Sequence, residues 1–326
     1  MKRAHPPAFA ALAVGVALAT QGCGSTFDPY NQLEGFRLLA VRAEPPTVAP
    51  GATATIDALV YEPDGPGTTY AWSWCPVRTG ADGAYECAMS EADFKAELEA
   101  VGVPVDSLTF DLGTNETATF AYPLDPTILA LICATAMGPP GAGAAGLLHC
   151  DQGFPVSVGL TVRYGDKEIS GFKTLRLALD AAAPANANPV LTDLSVAEAK
   201  GTRADAAVLP AGEPTYTMVL GEKYELFAEV PEAAAETFFG TTTTGIAPTE
   251  QREVLFITWF VDGGSTAHQR TTFFEGTAGF DRLVHNTWTL PQPEELGRDR
   301  ARLVLVLRDN RGGVAWLRRD VLVGRP

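Results

Sequence analysis

The hydrophobic residues of this chain recur mainly with the two-residue period of β-strands. In residues 52–61, for example, one face of the predicted strand is formed by alternate apolar positions, Ala54, Ile56, Ala58 and Val60. Runs of this kind, five to ten residues long, are separated by the Gly, Pro, Asn and Asp residues that are typical of turns. The pattern predicts an all-β protein whose strands bury one face and expose the other.

The order of the predicted strands repeats in two halves of the chain. Each half has an opening strand, a Pro/Gly turn, a second strand, a strand that contains tryptophan, and a closing hairpin. The tryptophan strands are residues 70–74 and 254–261, and the hairpins are residues 156–179 and 301–323. Residues 180–189 between the halves are rich in alanine, asparagine and proline, which indicates a linker. We expect at least three of the five tryptophans to be buried.

Two segments of the second half carry a family resemblance. Residues 258–264 read Thr-Trp-Phe-Val-Asp-Gly-Gly, and residues 303–313 form an apolar strand that continues into an Asp-Asn-Arg-Gly-Gly turn. These segments resemble the tryptophan strand and the closing hairpin of the PKD and bacterial immunoglobulin-like repeats of cell-surface proteins. The resemblance implies two tandem immunoglobulin-like sandwiches, at residues 36–179 and 190–326. It also implies a spacer or binding role, since this fold by itself carries no chemistry.

The first half also contains two inserts. Ser90 to Asp93 have the sequence of a capping box and predict a helix, which Gly102 and Pro104 would end. The second insert, residues 125–154, holds an apolar segment and then a stretch rich in Pro, Gly and Ala. Because specific binding tends to reside in surface loops, we expect these helical and loop inserts to recognise a partner.

The N-terminus has the features of a secretory signal. Lys2 and Arg3 precede twelve mainly apolar residues, 8–19, and a stretch of small residues before Cys23. Twelve helical residues rise about 18 Å, which is too short for a hydrocarbon core of roughly 30 Å. The sequence therefore predicts that residues 1–22 are a signal peptide and that the mature chain is exported.

Two cleavage sites are compatible with this segment. Gly22 and Cys23 resemble the lipobox of bacterial lipoproteins, in which the cysteine is acylated and becomes the new N-terminus. Residues 17–19 (Ala-Leu-Ala) form an ordinary cleavage site instead. The lipoprotein resemblance implies palmitate on Cys23, a lipid-anchored tether at residues 23–35 and, because Gly24 follows the cysteine, passage to the outer membrane.

The number of cysteines favours the acylated form. The chain has five, and an exported protein should not carry an exposed odd thiol without a reason. A lipid on Cys23 leaves four cysteines in the first half for two disulfides: Cys75, Cys87, Cys133 and Cys150. Local pairing would link each insert to the sandwich, although the sequence leaves the other two pairings open. Disulfides are favoured over a metal site because no C-x-x-C motif is present.

The mature chain is strongly acidic. Without residues 1–22 it has 22 basic and 39 acidic side chains, a net charge of −17, which makes nucleic acid a poor partner. From Arg298 to the end, however, the chain contains eight arginines and only three aspartates. We expect these arginines to lie on solvated strand faces or in ion pairs. The alternative is a patch around Arg318 and Arg319 for an anionic lipid headgroup or polysaccharide.

The catalytic motifs in the sequence lack the context that their chemistry requires. Residues 141–146 match G-x-G-x-x-G, but the segment that follows is too short and broken for the helix that would face a pyrophosphate. Residues 170–173 match S-x-x-K inside a predicted strand, without the companion motifs. The histidines of the mature chain belong to no zinc or nucleophile motif: His149, His268 and His285.

Asp262 and Asp309 lie at Gly-rich turns and could bind calcium. Neither stretch has the alternating acidic residues of a calcium loop, which favours plain turn chemistry. We therefore predict no cofactor, no metal site and no enzymatic activity. The expected function is that of a lipid-anchored cell-envelope protein that binds an envelope protein or polysaccharide. The alternative is a membrane-anchored hydrolase of envelope glycans that uses a carboxylate pair brought together by folding.

Overall fold

The computed structural model describes residues 29–76, 87–136, 152–180, 185–240, 249–276 and 279–325. Residues 31–326 group into one compact unit. Most of the regular structure in the described residues is strand, and each half of the chain forms its own pair of sheets. None of the described helices is long and apolar enough to cross a membrane. The predicted all-β fold class is confirmed.

The first sandwich contains strands β1 to β8 and helices α1 and α2. Its elements are β1 (Arg37–Glu44), β2 (Thr47–Val48), β3 (Thr53–Tyr61), β4 (Thr69–Cys75), α1 (Glu91–Ala100), β5 (Asp111–Gly113), β6 (Ala118–Ala121), α2 (Pro126–Ala136), β7 (Phe154–Tyr164) and β8 (Lys167–Leu177). One sheet has the order β1-β3-β6 and the other the order β2-β8-β7-β4-β5. The two helices lie in the two predicted inserts, between β4 and β5 and between β6 and β7.

The second sandwich contains strands β9 to β20, helix α3 and two short 3₁₀ turns. Its elements are β9 (Asp193–Glu198), β10 (Ala207–Val208), β11 (Thr217–Val219), β12 (Lys223–Glu229), β13 (Thr237–Gly240), β14 (Thr249–Arg252), β15 (Leu255–Val261), β16 (Ser265–Thr266), β17 (Arg270–Phe273), α3 (Phe280–Val284), β18 (His285–Thr289), β19 (Arg300–Asp309) and β20 (Val314–Gly324), with the 3₁₀ turns at Arg203–Asp205 and Glu232–Ala234. Its sheets have the orders β10-β9-β12-β18-β16 and β11-β20-β19-β15-β17, and β13 and β14 pair separately.

Both halves have the strand order of an immunoglobulin sandwich. In the first half β1, β3 and β6 form one sheet, and β8, β7 and β4 are neighbours in the other. The corresponding strands of the second half are β9, β12 and β18 in one sheet and β20, β19 and β15 in the other. A short strand, β2 or β11, runs parallel to the last strand of each half. These are the A-B-E and G-F-C arrangements of that fold, so the prediction of two tandem immunoglobulin-like sandwiches is confirmed.

Tryptophan side chains lie in the core of each sandwich. Trp72 and Trp74 on β4, Trp259 on β15 and Trp288 on β18 are buried. Each of the four donates its indole N–H to an oxygen inside the fold, which satisfies the one polar group that burial would otherwise penalise. The expectation that at least three tryptophans are buried is confirmed, and the fifth, Trp316, is partly buried.

Helix α1 begins where the sequence predicts it. The Ser90 hydroxyl accepts a hydrogen bond from the Asp93 N–H at 3.1 Å and caps the first turn. Phe94 and Leu98, one turn apart, are buried against the core of the first sandwich. Gly102 follows the helix with φ +80°, a conformation that glycine adopts without steric cost.

Candidate functional site

The two sandwiches meet along a buried junction between the β1 sheet of the first and the β19 sheet of the second. Its apolar centre, which we call the junction cluster, consists of residues from both halves: Leu33, Leu39, Ala40, Tyr61, Phe260, Val304, Val306 and Val314. Leu59 and Trp316 are partly buried and pack against it. The linker therefore does not join two separate domains across solvent, because their sheet faces share a core.

A β-bulge in β1 supplies two members of the junction cluster. The register between β1 and β3 shifts between Leu38 and Ala40, which makes Leu39 the extra residue. A bulge changes the direction in which side chains point. Leu39 and Ala40 consequently belong to the junction cluster, whereas Val41 and Ala43 on the same strand belong to the core of the first sandwich.

Strand β19 is apolar on both faces. Leu303, Leu305 and Leu307 lie in the core of the second sandwich, and Val304 and Val306 lie in the junction cluster. A continuous apolar run of this kind is typical of a strand that is covered on both sides. The run is visible in the sequence and is the signal that could have predicted the junction.

The linker bonds to both sandwiches. Asn188 donates its Nδ2 to the Ala43 carbonyl at 2.8 Å, and its Oδ1 accepts the Val314 N–H at 2.8 Å. Asn186 is buried, and its N–H donates to the Thr47 hydroxyl at 3.3 Å. These bonds satisfy backbone groups on each side of the junction, so the linker contributes to the interface itself.

Two cations also cross the junction. Lys173 on β8 donates from Nζ to the Gly312 carbonyl in the β19–β20 turn, and Arg308 donates from Nη2 to the Leu39 carbonyl at 2.7 Å. Lys173 is only 6% exposed. Burial lowers the pKa of Lys173 to about 8, against the opposing attraction of the Asp309 carboxylate. A buried ammonium group therefore lies at the edge of the first sandwich, next to the turn of the second.

Acidic side chains surround Arg311 in the same turn. Arg311 Nη1 donates to Glu253 Oε1 at 3.2 Å and to Glu236 Oε2 at 3.3 Å. Glu253 is 1% exposed, and burial, together with repulsion from Asp309, raises its pKa to about 7. Asp309 Oδ1 accepts the N–H groups of Arg311 and Gly313, both at 2.7 Å. The carboxylates that folding brings together here are thus used in turn hydrogen bonds and an ion pair.

Asp262 has an equivalent role at the end of β15. Its Oδ1 accepts the Arg302 N–H at 2.6 Å, and its Oδ2 pairs with Arg298 Nη2 at 2.9 Å. Burial raises the pKa of Asp262, which these partners oppose. Within the described ranges, no group of three or more His, Cys, Asp or Glu side chains is arranged to hold a metal ion. The contacts of both turn aspartates fit the turn chemistry that the sequence favours.

The segment that leads into the first sandwich bonds to the second. Leu33 N–H donates to the Val261 carbonyl at 2.7 Å, and Val261 N–H donates to the Asn31 carbonyl at 3.0 Å. The Asn31 side chain is buried and donates to the Trp259 carbonyl at 2.8 Å. The junction therefore includes this segment, β1, β3 and the linker, together with β15, β19 and β20 of the second sandwich.

A groove of about 580 Å³ opens beside the junction. Its walls are residues 38–41 of β1, residues 169–174 of β8, and the β19–β20 turn with Arg308 at its start. At its floor, a Cβ atom on Gly171 would lie 2.6 Å from Leu38 Cδ2. A larger residue at position 171 would therefore require the Leu38 side chain to shift.

The cysteines of the first sandwich are oxidised where the structure describes them. Cys75 and Cys87 form a disulfide with their Cα atoms 5.7 Å apart, which is the local pairing considered above. Cys133 on α2 is buried and disulfide-bonded. Cys23 and Cys150 lie outside the described residues, so acylation of Cys23 and the partner of Cys133 stay predictions.

Most of the C-terminal arginines have acidic partners. The ion pairs are Arg298 with Asp262, Arg300 with Glu213, Arg302 with Asp320, Arg311 with Glu236 and Glu253, and Arg319 with Asp193. The expected ion pairing is confirmed for these five arginines. Arg319 is also buried, with its Nε donating to the Leu209 carbonyl at 2.8 Å, so it cannot form a surface patch with Arg318.

Among the described residues, the other motifs named in the sequence analysis do not form a catalytic site. Ser170 bonds to a threonine hydroxyl on β7 and Lys173 to the β19–β20 turn, so the two residues have different partners. His268 and His285 are exposed, and His285 pairs with Glu225 at 2.9 Å. The G-x-G-x-x-G segment 141–146 and His149 lie outside the described residues.

No family model matches this chain, and no curated protein matches it. Solved structures that align with it include a chimeric titin Z1Z2-Z1Z2 tandem functionalized with a fibronectin GRGDS peptide, at 11% identity over 89% of this chain and 99% of that chain, with a TM-score of 0.24. The N-terminal four Ig domains of Dscam1 isoform 7.44 align at 10% identity over 90% of this chain and 52% of that chain, with a TM-score of 0.21. Escherichia coli alpha-2-macroglobulin activated by porcine elastase aligns at 12% identity over 92% and 22%, with a TM-score of 0.20. Similarity at this level carries no functional argument.

Proposed function

We propose that this chain is a non-enzymatic lipoprotein of the bacterial cell envelope, anchored through a lipid on Cys23. Its paired sandwiches act as a rigid binding or scaffold module for an envelope protein or polysaccharide. The observation that carries the scaffold role is the junction. Domains on a linker move independently by default unless their interface is substantial and apolar. Here the junction cluster and the bonds of Asn188, Lys173 and Arg308 favour one fixed arrangement.

The cysteines support the anchor. Cys75 and Cys87 form a disulfide with each other, and Cys133 is also disulfide-bonded. The chain has five cysteines, so the partner of Cys133 is Cys23 or Cys150. Pairing with Cys150 leaves Cys23 as the one cysteine without a disulfide, at the position where the signal sequence would be cleaved.

The acidic residues support binding over acid–base catalysis. A glycosidase needs two carboxyl groups that face a substrate in a cleft. The carboxyl groups that lie together in this fold, on Glu236, Glu253 and Asp309, bond instead to Arg311 and to backbone N–H groups. Glu253 and Asp309 are buried. The hydrolase alternative gains no support from these groups.

Metabolic labelling tests the anchor. Cells that express the full chain are fed alkyne-palmitate, and the purified protein is examined by peptide mass spectrometry. Wild type should carry the label on Cys23, and Cys23→Ser should lose it. Cys150→Ser is the matched control, because it removes a predicted disulfide partner and should keep the label. Unlabelled wild type, or a Cys23–Cys133 disulfide, would refute the anchor.

Electron-spin distance measurements test the fixed arrangement of the sandwiches. Spin labels on exposed positions of each sandwich, Glu99→Cys and Glu222→Cys, should give one narrow distance distribution in the mature chain. Val306→Asp places a charge in the junction cluster and should broaden the distribution. A distribution that is already broad without this substitution would contradict the scaffold role.

A further inference from the structure

The first sandwich has an unpaired strand edge whose counterpart in the second sandwich is paired. Strand β6 pairs with β3 on one side, and no described strand pairs with it on the other. In the second sandwich the corresponding strand is β18, and there β16 pairs with the same edge in the antiparallel direction. Within the described part of the chain, one strand position is therefore filled in the second sandwich and open in the first.

The backbone of β6 has donors available along this edge. Tyr122 N–H donates to the Ala52 carbonyl at 3.2 Å, on the β3 side of the strand. Because backbone groups alternate sides along an antiparallel strand, Phe120 also faces β3, whereas the N–H groups of Thr119 and Ala121 face away from it. Among the described residues, neither of these two amides has a backbone acceptor. Donors two residues apart match the repeat of a neighbouring strand.

A cleft of about 440 Å³ lies beside this edge, between β6 and the segment that leads into β5. Trp74 and Phe120 line the cleft and are almost fully buried, with their rings 5.6 Å apart. Trp74 N–H donates to the Phe110 carbonyl at 2.8 Å, which fixes the wall opposite β6. The other large apolar or aromatic residues of the lining are Leu108, Leu112, Tyr122 and Pro123. An apolar side chain from an added strand would therefore enter a preformed aromatic site.

The charges beside the cleft are suited to a basic ligand. Asp111 is exposed and is the one charged residue among the described residues of the lining. Its Oδ1 accepts the Gly113 N–H at 2.8 Å, but it forms no ion pair within the described residues. The same holds for exposed Glu116 in the turn between β5 and β6. A basic side chain of a ligand would supply the missing counter-charge, whereas the same edge of a second copy would bring like charges together.

We infer that the β6 edge binds an extended peptide segment of a partner protein, with an apolar side chain in the cleft and a basic residue beside Asp111. The segment adds to the β3–β6 sheet as an antiparallel strand, in the position that β16 has in the second sandwich. In strand addition the main-chain hydrogen bonds supply affinity, and alternate side chains supply specificity. The inference rests on the proposed binding function and deepens it by naming a site and a partner class. It does not depend on the lipid at Cys23.

Three fluorescent nonapeptides test the site on the mature, disulfide-bonded chain. Each alternates threonine with valine around a central phenylalanine, and its two end residues are both lysine, both glutamine or both glutamate. Fluorescence anisotropy should show saturable binding, and the lysine form should bind about ten-fold more tightly than the glutamate form. Hydrogen exchange should slow at the amides of Thr119 and Ala121 when the peptide is bound. The Phe120 amide faces β3 and should not change, so it serves as an internal reference.

Matched substitutions separate the backbone contribution from the charge contribution. Thr119→Pro removes one N–H that faces away from β3, at an edge position where proline is tolerated, and should weaken binding about ten-fold. Thr119→Ala keeps the N–H and should bind like wild type. Asp111→Asn keeps an acceptor for the Gly113 N–H but removes the charge, so it should reduce the preference for lysine over glutamate. Asp64→Asn, at an exposed position outside the cleft, should retain that preference.

Three results would overturn the inference. The first is the absence of saturable binding by all three peptides up to about 1 mM. The second is binding without slower exchange of the Thr119 and Ala121 amides. The third is a dimer in sedimentation velocity that Thr119→Pro dissociates, which would indicate that a second copy covers the edge. If Thr119→Pro does not fold, the exchange measurement on wild type still decides. Palmitate labelling of Cys23 and the spin-label distances do not involve β6, so the proposed function and this inference can fail separately.

Discussion

Replacement of Glu253 by glutamine should change how the stability of this protein depends on pH. Burial raises the pKa of Glu253 from 4.5 to about 7. The folded state therefore binds this proton more tightly than the unfolded chain does. Its contribution to the free energy of unfolding is fully present below about pH 4.5 and is lost as the pH rises through about 7. The difference between these two pKa values corresponds to about 3 kcal/mol.

Glutamine resembles the protonated acid, since it is neutral, has nearly the same shape and keeps an acceptor for the Glu236 N–H, which lies 3.1 Å from Glu253 Oε2. Wild type and Glu253→Gln should thus have similar free energies of unfolding near pH 4.5. Above pH 7 the substitution should raise the free energy of unfolding relative to wild type, by at most about 3 kcal/mol. The sign follows from the removal of a buried negative charge next to Asp309.

Urea denaturation at several pH values between 4.5 and 8, with the disulfides intact, measures the free energies of unfolding of wild type and Glu253→Gln. Glu250→Gln is the matched control, because Glu250 lies on the same hairpin and is exposed. Its substitution should change the free energy of unfolding by the same amount at every pH. A difference between wild type and Glu253→Gln that stays constant with pH would refute the reasoning. So would a difference that changes in the opposite direction.

Three further substitutions test the junction and the insert. Val306→Ala should lower the free energy of unfolding by about 2 kcal/mol by opening a cavity in the junction cluster, whereas Val208→Ala at an exposed position should have little effect in the same denaturation assay. Asn188→Ala should cost about 1–3 kcal/mol and accelerate exchange of the Val314 amide that it leaves without its acceptor; unchanged exchange would contradict the linker's role. Cys87→Ser opens a disulfide with a sequence separation of 12 and should cost about 3 kcal/mol, measured by thermal unfolding without reductant; an unchanged melting temperature would contradict this.

Local patterns in the sequence were sufficient to predict the all-β class and the repetition of the fold in the two halves of the chain. Strand alternation, the two tryptophan strands and the two closing hairpins predict paired β-sandwiches, because strand periodicity and turn residues depend on neighbours within a few positions. The capping sequence at Ser90 predicts helix α1 for the same reason. The ion pairing of the C-terminal arginines could be expected from the acidic remainder of the chain.

The junction depended on contacts between residues far apart in sequence. The Leu-Val run of β19 indicates a strand covered on both faces, but it does not say which surface covers the second face. That surface comes from β1, where a single bulged residue, Leu39, turns toward the other sandwich. A one-residue change in register reverses the side-chain direction and has no signature in composition.

The buried charges also depend on contacts between residues far apart in sequence. In the sequence, Lys173 and Glu253 resemble ordinary strand and turn residues. Their altered pKa values arise mainly because packing removes them from water and, for Glu253, also because folding places it near Asp309. The groove beside β8 likewise exists because β2 is short and β1 belongs to the other sheet. The sequence by itself determined which segments become strands. The tertiary structure alone decided which strand edges and charges meet, since hydrogen bonding across sheets and desolvation depend on distances that sequence separation does not encode.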